Sequence, residues 1–199
     1  MWDTEGLTEV HGYVSSPILN QLKKYQAKNV LDLGCGNGAF SNTLSQNGFN
    51  VTGMDFSLSG IEIAKRRYPN VNFEQHDALT PLPPEHFGNY DAVVAVEVIE
   101  HLLLPRKLLE NSLLALKPNG SLIVTTPYHG YLKNLSLALM NKFDDHWHPL
   151  RDFGHVKFFS KATLTQIYLE CGLEDIQIQT VGRIPALARS MIVSGRKPK

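Results

Sequence analysis

Apolar residues along this chain follow two spacings, which alternate from the amino to the carboxyl terminus. Short continuous apolar runs, such as residues 90–96, are typical of strands buried on both faces of a parallel sheet. Apolar residues three and four positions apart, as in residues 17–28, are typical of amphipathic helices. The patterns predict strands at residues 30–33, 50–54, 71–75, 90–96, 121–126, 173–181 and 190–195, and helices at residues 17–28, 39–47, 57–68, 106–116 and 160–170.

The alternation of strands and helices predicts an α/β fold with a doubly wound, mostly parallel sheet. Residues 80–84 are rich in proline and are predicted to form a loop. No crossover helix fits between the last two strands, so they are predicted to pair antiparallel at one edge. A chain of 199 residues is long enough for one three-layer core. We therefore expect a single domain over residues 1–199, with residues 127–160 as an inserted segment.

Opposite charges balance in this sequence. Nineteen basic and nineteen acidic residues give a net charge of zero, so no overall field attracts nucleic acid or an anionic membrane. The two cysteines, Cys35 and Cys171, form neither a disulfide framework nor a metal-spaced pair, and a reducing, cytoplasmic location is expected. Residues 1–5 lack the features of a signal peptide, and no apolar run approaches the roughly 18 residues that span a bilayer.

Three alternating glycines follow the first predicted strand. Gly34, Gly36 and Gly38 permit positive φ angles and a close approach of the backbone to a ligand. The second strand leads into Asp55, about 20 residues further on, where a carboxylate can accept both hydroxyls of a ribose. The pattern predicts a nucleotide-type cofactor site, and by itself it also fits the G-x-G-x-x-G/A pattern of dinucleotide-binding proteins.

Two further features favour one cofactor. Asp32 stands two positions before the first glycine, and Gly38 supplies the third alternating glycine. From about residue 28 onward the chain resembles class I S-adenosylmethionine (SAM)-dependent methyltransferases, whose first motif is an acid followed by x-G-x-G-x-G. The resemblance implies SAM as methyl donor and a Rossmann-like, seven-stranded sheet with an antiparallel last strand. The cofactor-binding residues that it implies are Asp32, Gly34, Cys35, Gly36, Gly38, Asp55, Phe56, Asp77, Ala78, Glu97 and Val98.

A candidate metal site follows the fourth predicted strand. In one turn of helix, Glu97, Glu100 and His101 would lie on one side through i, i+3 and i+4 spacing, and two carboxylates with an imidazole suit a divalent cation such as Mg²⁺. Together with His155 in His-Val-Lys-Phe-Phe, these residues resemble ubiquinone-biosynthesis O-methyltransferases and small-RNA 3′-terminal 2′-O-methyltransferases, which implies His155 as a fourth ligand. Many class members carry the same residues without a metal, where they hold the strand-to-helix turn, so both interpretations stay open.

The inserted segment holds candidate groups for the methyl acceptor. His129 lies two residues after Pro127 and is predicted to be the base that removes the proton of an acceptor hydroxyl. Leucines at 132, 135 and 139 and Phe143 predict one apolar stripe of a helix, which would pack as a lid or touch a membrane. A pocket for an apolar or aromatic acceptor is predicted from aromatic residues that could equally form the segment's own core: Tyr128, Tyr131, Phe143, Trp147 and Phe153.

These features together predict a methyltransferase that acts on a small molecule. The expected reaction moves a methyl group from SAM to a hydroxyl of the acceptor. Three other functions remain open: an RNA 2′-O-methyltransferase, against which the zero net charge stands; a SAM-binding protein without catalysis; and a dinucleotide-binding module.

Overall fold

The computed structural model describes residues 6–147, 150, 152, 154–184 and 187–199, apart from the side chains of residues 145 and 146. The strands are β1 (Asn29–Leu33), β2 (Asn50–Asp55), β3 (Asn72–Gln75), β4 (Tyr90–Val96), β5 (Leu116–Pro127), β6 (Glu174–Val181) and β7 (Ser190–Arg196). The α-helices are α1 (His11–Lys24), α2 (Ala39–Gln46), α3 (Leu58–Arg67), α4 (Pro105–Ala115), α5 (Tyr131–Leu139), α6 (Phe143–Trp147) and α7 (Lys161–Glu170). Short 3₁₀ helices lie at Pro84–His86 and Ile99–His101.

The strands form one seven-stranded sheet in the order β3-β2-β1-β4-β5-β7-β6. All pairs from β3 to β5 are parallel, whereas β7 runs antiparallel to both β5 and β6. The strand order reverses between β1 and β4, which is where open α/β sheets bind ligands. The predicted fold class, including the antiparallel finish, is confirmed.

Two apolar clusters cover the opposite faces of the sheet, because successive strand residues point to opposite sides. One cluster joins strand residues such as Leu31 and Val93 to α4 and α7. The other joins their neighbours, such as Val30 and Ala92, to α1, α2 and α3. The side chain of Asp32 lies on this second face and meets α2 rather than solvent.

The first helix begins earlier than the apolar spacing predicted. It starts at His11 instead of residue 17, and Pro17 stands inside it. Proline within a helix removes a backbone donor and costs about 3 kcal/mol. Val14, Ile18 and Leu22 recur every four residues and are completely buried, so packing of this face offsets that cost. The helix ends at Lys24, four residues before the predicted end, since Gln26 adopts a positive φ of 54°.

Most other bounds agree with the predictions within one or two residues, and three differ in kind. The fifth strand starts at Leu116, so the Lys-Pro-Asn-Gly sequence predicted to end the preceding helix belongs to the strand, with a register shift opposite Tyr90. Part of the proline-rich connection forms the 3₁₀ helix Pro84–His86 instead of an irregular loop. The apolar stripe predicted along one helix is divided between α5 and α6, because Asn141 has a positive φ of 52°.

The helix α5 is not packed as a closed lid. None of its residues is buried, and Leu132 and Leu139 are 54% and 79% exposed. Among the residues that the structure describes, no helix has both the length and the apolar character needed to cross a membrane.

Candidate functional site

A cavity of about 560 Å³ opens at the carboxyl ends of the parallel strands. The end of β5 meets the start of β7 there, since Pro127 pairs with Ser190. Residues from the glycine turn, the end of β4, the inserted segment and the amino-terminal turn all contribute to its wall. The described residues of the wall are Thr8, Val10, His11, Tyr13, Asp32, Gly34, Cys35, Asn37, Phe40, Val96, Glu97, His101, Pro127, His129, Lys133, Trp147, Gly154, His155, Arg189 and Ser190.

The glycine turn connects β1 to α2 in a conformation that side chains would obstruct. Gly34 has a φ of 89°, and a Cβ there would overlap the side chain of Val98. Gly38 has a φ of 78°, and its Cβ would stand 2.6 Å from the ring of Phe73. The amides of Gly34 and Cys35 both donate to the carbonyl of Met54 at 2.7 and 2.9 Å, which holds the turn against the end of β2. The glycines therefore set the shape of the cavity wall next to β1.

Asp32 lies in that wall as an almost completely buried acid. It is 1% exposed, and its Oδ2 accepts a hydrogen bond of 2.5 Å from the Ser41 hydroxyl on α2. Burial raises the pKa of the Asp32 carboxyl to about 7, although the Ser41 hydrogen bond opposes this shift. A cationic ligand in the cavity would favour the ionised form of this carboxyl.

Asp55 at the end of β2 is held by two backbone amides. Its Oδ2 accepts from Gly36 N and its Oδ1 from Ser57 N, both at 2.8 Å, and the residue is 4% exposed. Burial raises the pKa of Asp55, and these two hydrogen bonds oppose the rise. The arrangement fixes the carboxylate beside the glycine turn, where its remaining lone pairs can accept further hydroxyl groups.

The predicted cofactor residues fall into two groups. Asp32, Gly34, Cys35 and Glu97 line the cavity. The others lie outside its wall: Gly36 and Gly38 in the glycine turn, Asp55 and Phe56 after β2, Asp77 and Ala78 after β3, and Val98 after β4. Phe56 is 68% exposed, and Asp77 is also exposed, with its Oδ1 accepting from Leu79 N at 2.9 Å. We expect the methionine end of a bound cofactor in the cavity and the adenosine end beside the residues that follow β2 and β3.

Glu97 does not share a helical turn with Glu100 and His101, as the spacing had predicted. It has a positive φ of 54° and precedes the 3₁₀ helix. Its Oε1 accepts a hydrogen bond of 2.9 Å from the Thr125 hydroxyl, and its amide donates to the same hydroxyl at 3.0 Å. Glu97 is therefore turned toward β5, and burial raises the pKa of its carboxyl.

Glu100, His101 and His155 do come together. One ligand atom from each lies within 4.8 Å of the others. The backbone carbonyl of Glu100 accepts from Val156 N at 2.9 Å and Lys157 N at 3.0 Å, which holds the segment after His155 against the 3₁₀ helix. Glu97 is not part of this group, so the structure gathers three of the four predicted metal ligands.

The Glu100 carboxylate is the unusual member of the group. It is completely buried, and within the described part of the chain neither of its oxygens makes a hydrogen bond of normal geometry. Burial raises the pKa of Glu100, the nearby Glu97 carboxyl raises it further, and the Thr126 hydroxyl only partly opposes this. A buried carboxylate beside two imidazoles fits the ligand set of a divalent cation.

His129 lies in the cavity wall two residues beyond the end of β5. The centroid of its ring lies 5.1 Å from that of Phe158, with the two rings nearly perpendicular. The predicted base therefore lies at the cavity, on the side of the inserted segment. Two other histidines of the segment, His146 by its side chain and His148 entirely, fall outside the described residues.

The predicted aromatic pocket is only partly formed by the predicted residues. Trp147 lines the cavity, and Phe143 stacks on it with ring centroids 4.6 Å apart. Tyr131 is 78% exposed, and Tyr128 packs against the core beside Lys161. Phe153 lies outside the described residues. Some aromatic residues of the inserted segment therefore pack within the protein and do not line the cavity.

Several cavity residues were missed by the sequence patterns. Thr8, Val10, His11 and Tyr13 come from the turn before α1 and from its first residues, which no motif indicated. Arg189 and Ser190 reach the cavity because β7 is antiparallel, so its first residue lies level with the ends of the parallel strands. The predicted antiparallel finish was the signal that could have located Ser190.

Comparison with known proteins agrees with this architecture. A family model for a methyltransferase domain matches residues 8–178. A ubiquinone biosynthesis O-methyltransferase of Coxiella burnetii is 27% identical over 157 residues, which cover 77% of this chain and 66% of the relative. The aligned part thus spans slightly less than two thirds of that relative.

Solved structures with the same fold include methyltransferases of low sequence identity. A putative methyltransferase from Bacillus halodurans has a TM-score of 0.69 and 16% identity, with 91% of this chain and 99% of that protein covered. Magnesium protoporphyrin IX methyltransferase from Synechocystis, with bound S-adenosylhomocysteine (SAH), has a TM-score of 0.69 and 19% identity, with 92% and 82% covered. From the matched family model, the sheet order and the glycine turn, we conclude that the chain belongs to the methyltransferase domain family, within the class I SAM-dependent methyltransferases.

Proposed function

We propose that this protein transfers the methyl group of SAM to a hydroxyl of a small, apolar or aromatic molecule. The observation that carries the proposal is the continuity of one cavity. Its wall contains Asp32 and Gly34 of the glycine turn and also His129 and Trp147 of the inserted segment. A donor methyl and an acceptor hydroxyl held in this cavity would be separated from bulk water and aligned with each other, which is the main contribution a protein makes to such a displacement.

On the donor side, each residue has a distinct role in the proposal. The backbone of Gly34 to Gly38 approaches the methionine portion of SAM, since none of the three glycines carries a Cβ. Asp55 accepts the two ribose hydroxyls while Gly36 N and Ser57 N hold its carboxylate in place. Asp77 and Ala78 flank the adenine. Asp32 faces the positively charged end of the cofactor from within the cavity wall.

The methyl transfer itself is an in-line displacement. The acceptor oxygen forms a bond to the methyl carbon as the bond from that carbon to the sulfonium sulfur breaks. The electron pair of the broken bond stays on sulfur, so SAM leaves as the neutral thioether SAH. The hydroxyl proton moves to a ring nitrogen of His129, which lies in the wall beyond β5. Trp147 provides an apolar surface for the acceptor.

A substitution of His129 tests the acceptor chemistry. We expect His129→Ala to lower kcat on a hydroxyl acceptor by about 10²-fold or more, the usual contribution of a positioned base, while SAH affinity stays within about twofold. His76→Ala, at a histidine outside the cavity wall, is the matched control. Unchanged kcat in His129→Ala would contradict the assignment of the base. SAH binding without turnover on any acceptor would instead identify a SAM-binding protein without catalysis.

The residues after β4 extend the proposal to a divalent cation held by Glu100, His101 and His155. A bound cation would lower the pKa of an acceptor hydroxyl and orient its oxygen. Binding of Mn²⁺, followed by electron paramagnetic resonance, tests the site without reference to activity. Glu100→Gln and His155→Ala should each weaken Mn²⁺ binding at least about tenfold, whereas His76→Ala should not. Equal binding by all four proteins would show that these side chains only stabilise the turn.

A cytoplasmic location belongs to the same proposal. Both cysteines are free, and Cys35 is buried in the glycine turn, where oxidation to a disulfide would require the turn to move.

The zero net charge gives no support to RNA as acceptor. RNA binding with a steep dependence on salt concentration would nevertheless favour the RNA methyltransferase alternative.

A further inference from the structure

Two cations share the acceptor side of the cavity although the whole chain has no net charge. Lys133, in the first turn of α5, and Arg189, immediately before β7, both line the wall. Both form hydrogen bonds with Tyr128. Lys133 Nζ donates to the carbonyl of Tyr128 at 3.2 Å, and the carbonyl of Arg189 accepts from the amide of Tyr128 at 3.0 Å. Tyr128 thus holds both basic residues at the junction of β5 and β7.

Within the described part of the chain, Lys133 forms no ion pair with a carboxylate. Among the described residues, no Asp or Glu oxygen lies within 4.0 Å of its Nζ. The Lys133 side chain is half-buried. Its pKa is lowered by this burial and by the charge of Arg183, while the charge of Glu97 raises it. The Glu97 carboxyl is itself engaged by Thr125. An ammonium removed from water in this way gains most when an anion binds beside it.

Arg189 already binds one carboxylate. It forms an ion pair with Glu9 of the amino-terminal turn. The Glu9 side chain is 77% exposed, so the pair is largely hydrated and contributes little to stability. A ligand carboxylate entering the cavity can therefore replace Glu9 at small cost, and the planar guanidinium is suited to bind it through two hydrogen bonds.

The cations lie away from the expected position of the cofactor. The sheet order places β4 and β5 between β1, which carries the glycine turn, and β7. With neighbouring strands about 4.8 Å apart, the start of β7 is about 14 Å from the end of β1. The acids of the wall, Asp32 and Glu97, lie at the ends of β1 and β4, whereas Lys133 and Arg189 lie beyond β5. The two cations of the wall thus lie on the acceptor side, and the Glu97 carboxyl is close enough to interact electrostatically with Lys133.

We propose that the methyl acceptor carries a carboxylate, which Lys133 binds directly and Arg189 binds in place of Glu9. The inference rests on the proposed function, since it assigns the acceptor of that same site. The acceptor class is then a hydroxylated aromatic acid: the ring packs near Trp147, the hydroxyl faces the donor, and the carboxylate lies at the start of β7. Lys133 and Arg189 determine specificity and take no part in bond formation.

Calorimetry with the SAH-saturated protein tests this assignment without requiring turnover. The probes are 3,4-dihydroxybenzoate and its uncharged counterpart, 3,4-dihydroxybenzamide. The native protein should bind the acid at least about tenfold more tightly than the amide. In Lys133→Met this preference should fall below about threefold, while Lys133→Arg keeps it. Lys142→Met, at an exposed lysine outside the cavity wall, is the matched control and should behave as the native protein.

Several outcomes would overturn the inference. Equal affinity of the native protein for acid and amide, or failure to bind the acid, contradicts it even if every Lys133 variant fails to fold. A tenfold loss of SAH affinity in Lys133→Met would show that the lysine holds the carboxylate of the cofactor instead. Turnover of neutral hydroxyl acceptors with no preference for acids rejects only the charge recognition. An intact preference for acids without any methyl transfer rejects only the proposed function.

Discussion

At the scale of single residues, the chemistry of the site is set by carboxyl groups that are removed from water. Asp32 and Glu97 line the same cavity, and burial raises the pKa of each. Hydroxyl groups, Ser41 for Asp32 and Thr125 with Ser190 for Glu97, stabilise these side chains without compensating the full loss of hydration. The positively charged ammonium and sulfonium groups of SAM are suitable counter-ions for such carboxyls. Burial of these carboxyl groups thus costs free energy in the free protein, and binding of the SAM cation offsets that cost in the complex.

This argument predicts that SAM affinity depends on pH through Asp32. The pKa of its carboxyl is about 7 in the free protein, so the group is mostly protonated at pH 6 and must lose that proton to pair with a cation. SAM affinity should therefore rise about tenfold from pH 6 to pH 8, measured by calorimetry, and Asp32→Asn should abolish most of the rise. Asp175→Asn, at an exposed acid, is the control. A native affinity that is constant over this range would contradict the role of Asp32.

The same shift has a consequence for the stability of the free protein. The folded-state pKa of Asp32 is raised above its unfolded value, so its contribution is most favourable below that unfolded value. Stability should fall as the pH rises from about 4 to about 7 and change little above that through this residue. Urea denaturation at several pH values measures the free energy of unfolding of the native protein and of Asp32→Asn. The fall in this free energy between about pH 4 and about pH 7 should be smaller in the variant than in the native protein.

At the scale of secondary-structure elements, the turn between β1 and α2 is the most constrained part of the site. Gly34 and Gly38 combine positive φ angles with close neighbours, Val98 for the first and Phe73 with Ala64 for the second. The turn therefore packs against three parts of the fold: the segment after β4, the strand β3 and the helix α3. Its glycines are required for packing as well as for the approach of a ligand.

Alanine substitutions at two glycines separate backbone strain from steric overlap. Gly38 and Gly48 both have positive φ angles, but a Cβ at Gly48 would meet no atom within 4 Å, whereas one at Gly38 would meet Phe73 and Ala64 at 2.6 and 2.7 Å. Gly48→Ala should destabilise the protein by about 1–2 kcal/mol through strain alone. Gly38→Ala should cost about 1–3 kcal/mol more, because of the overlap. Urea denaturation without cofactor measures both, and equal losses would contradict the packing argument.

The inserted segment shows where sequence spacing was insufficient. Its leucines indicated one continuous helix, but Asn141 takes a positive φ and Phe143 then stacks on Trp147. The position of Trp147 at the cavity depends on this break. Such a break is decided by contacts between distant residues, including the approach of Phe158 to Trp147, with ring centroids 5.0 Å apart. A spacing rule within one helix contains no information about them.

At the scale of the whole molecule, the order of elements was predictable because buried parallel strands have a distinctive sequence. The continuous apolar run of β4 and the glycines after β1 identified the centre of the sheet, and the lack of room for a crossover identified the antiparallel edge. Asp32 and Asp55 followed from their places relative to the glycines. The sequence could not predict that Lys133 and Arg189 line the cavity, because this depends on how β5 and β7 align in the folded sheet.

The most direct test of the account is a methyl-transfer measurement with SAM labelled in its methyl group. The purified protein is incubated with labelled SAM and a panel of phenols, hydroxy acids and amines, and both labelled product and SAH are quantified. The account predicts label on the hydroxyl oxygen of an aromatic acceptor, with an equal amount of SAH, and an activity at low SAM that falls about tenfold or more in Asp55→Ala. Labelled product on amines alone, or SAH binding with no labelled product from any acceptor, would contradict it.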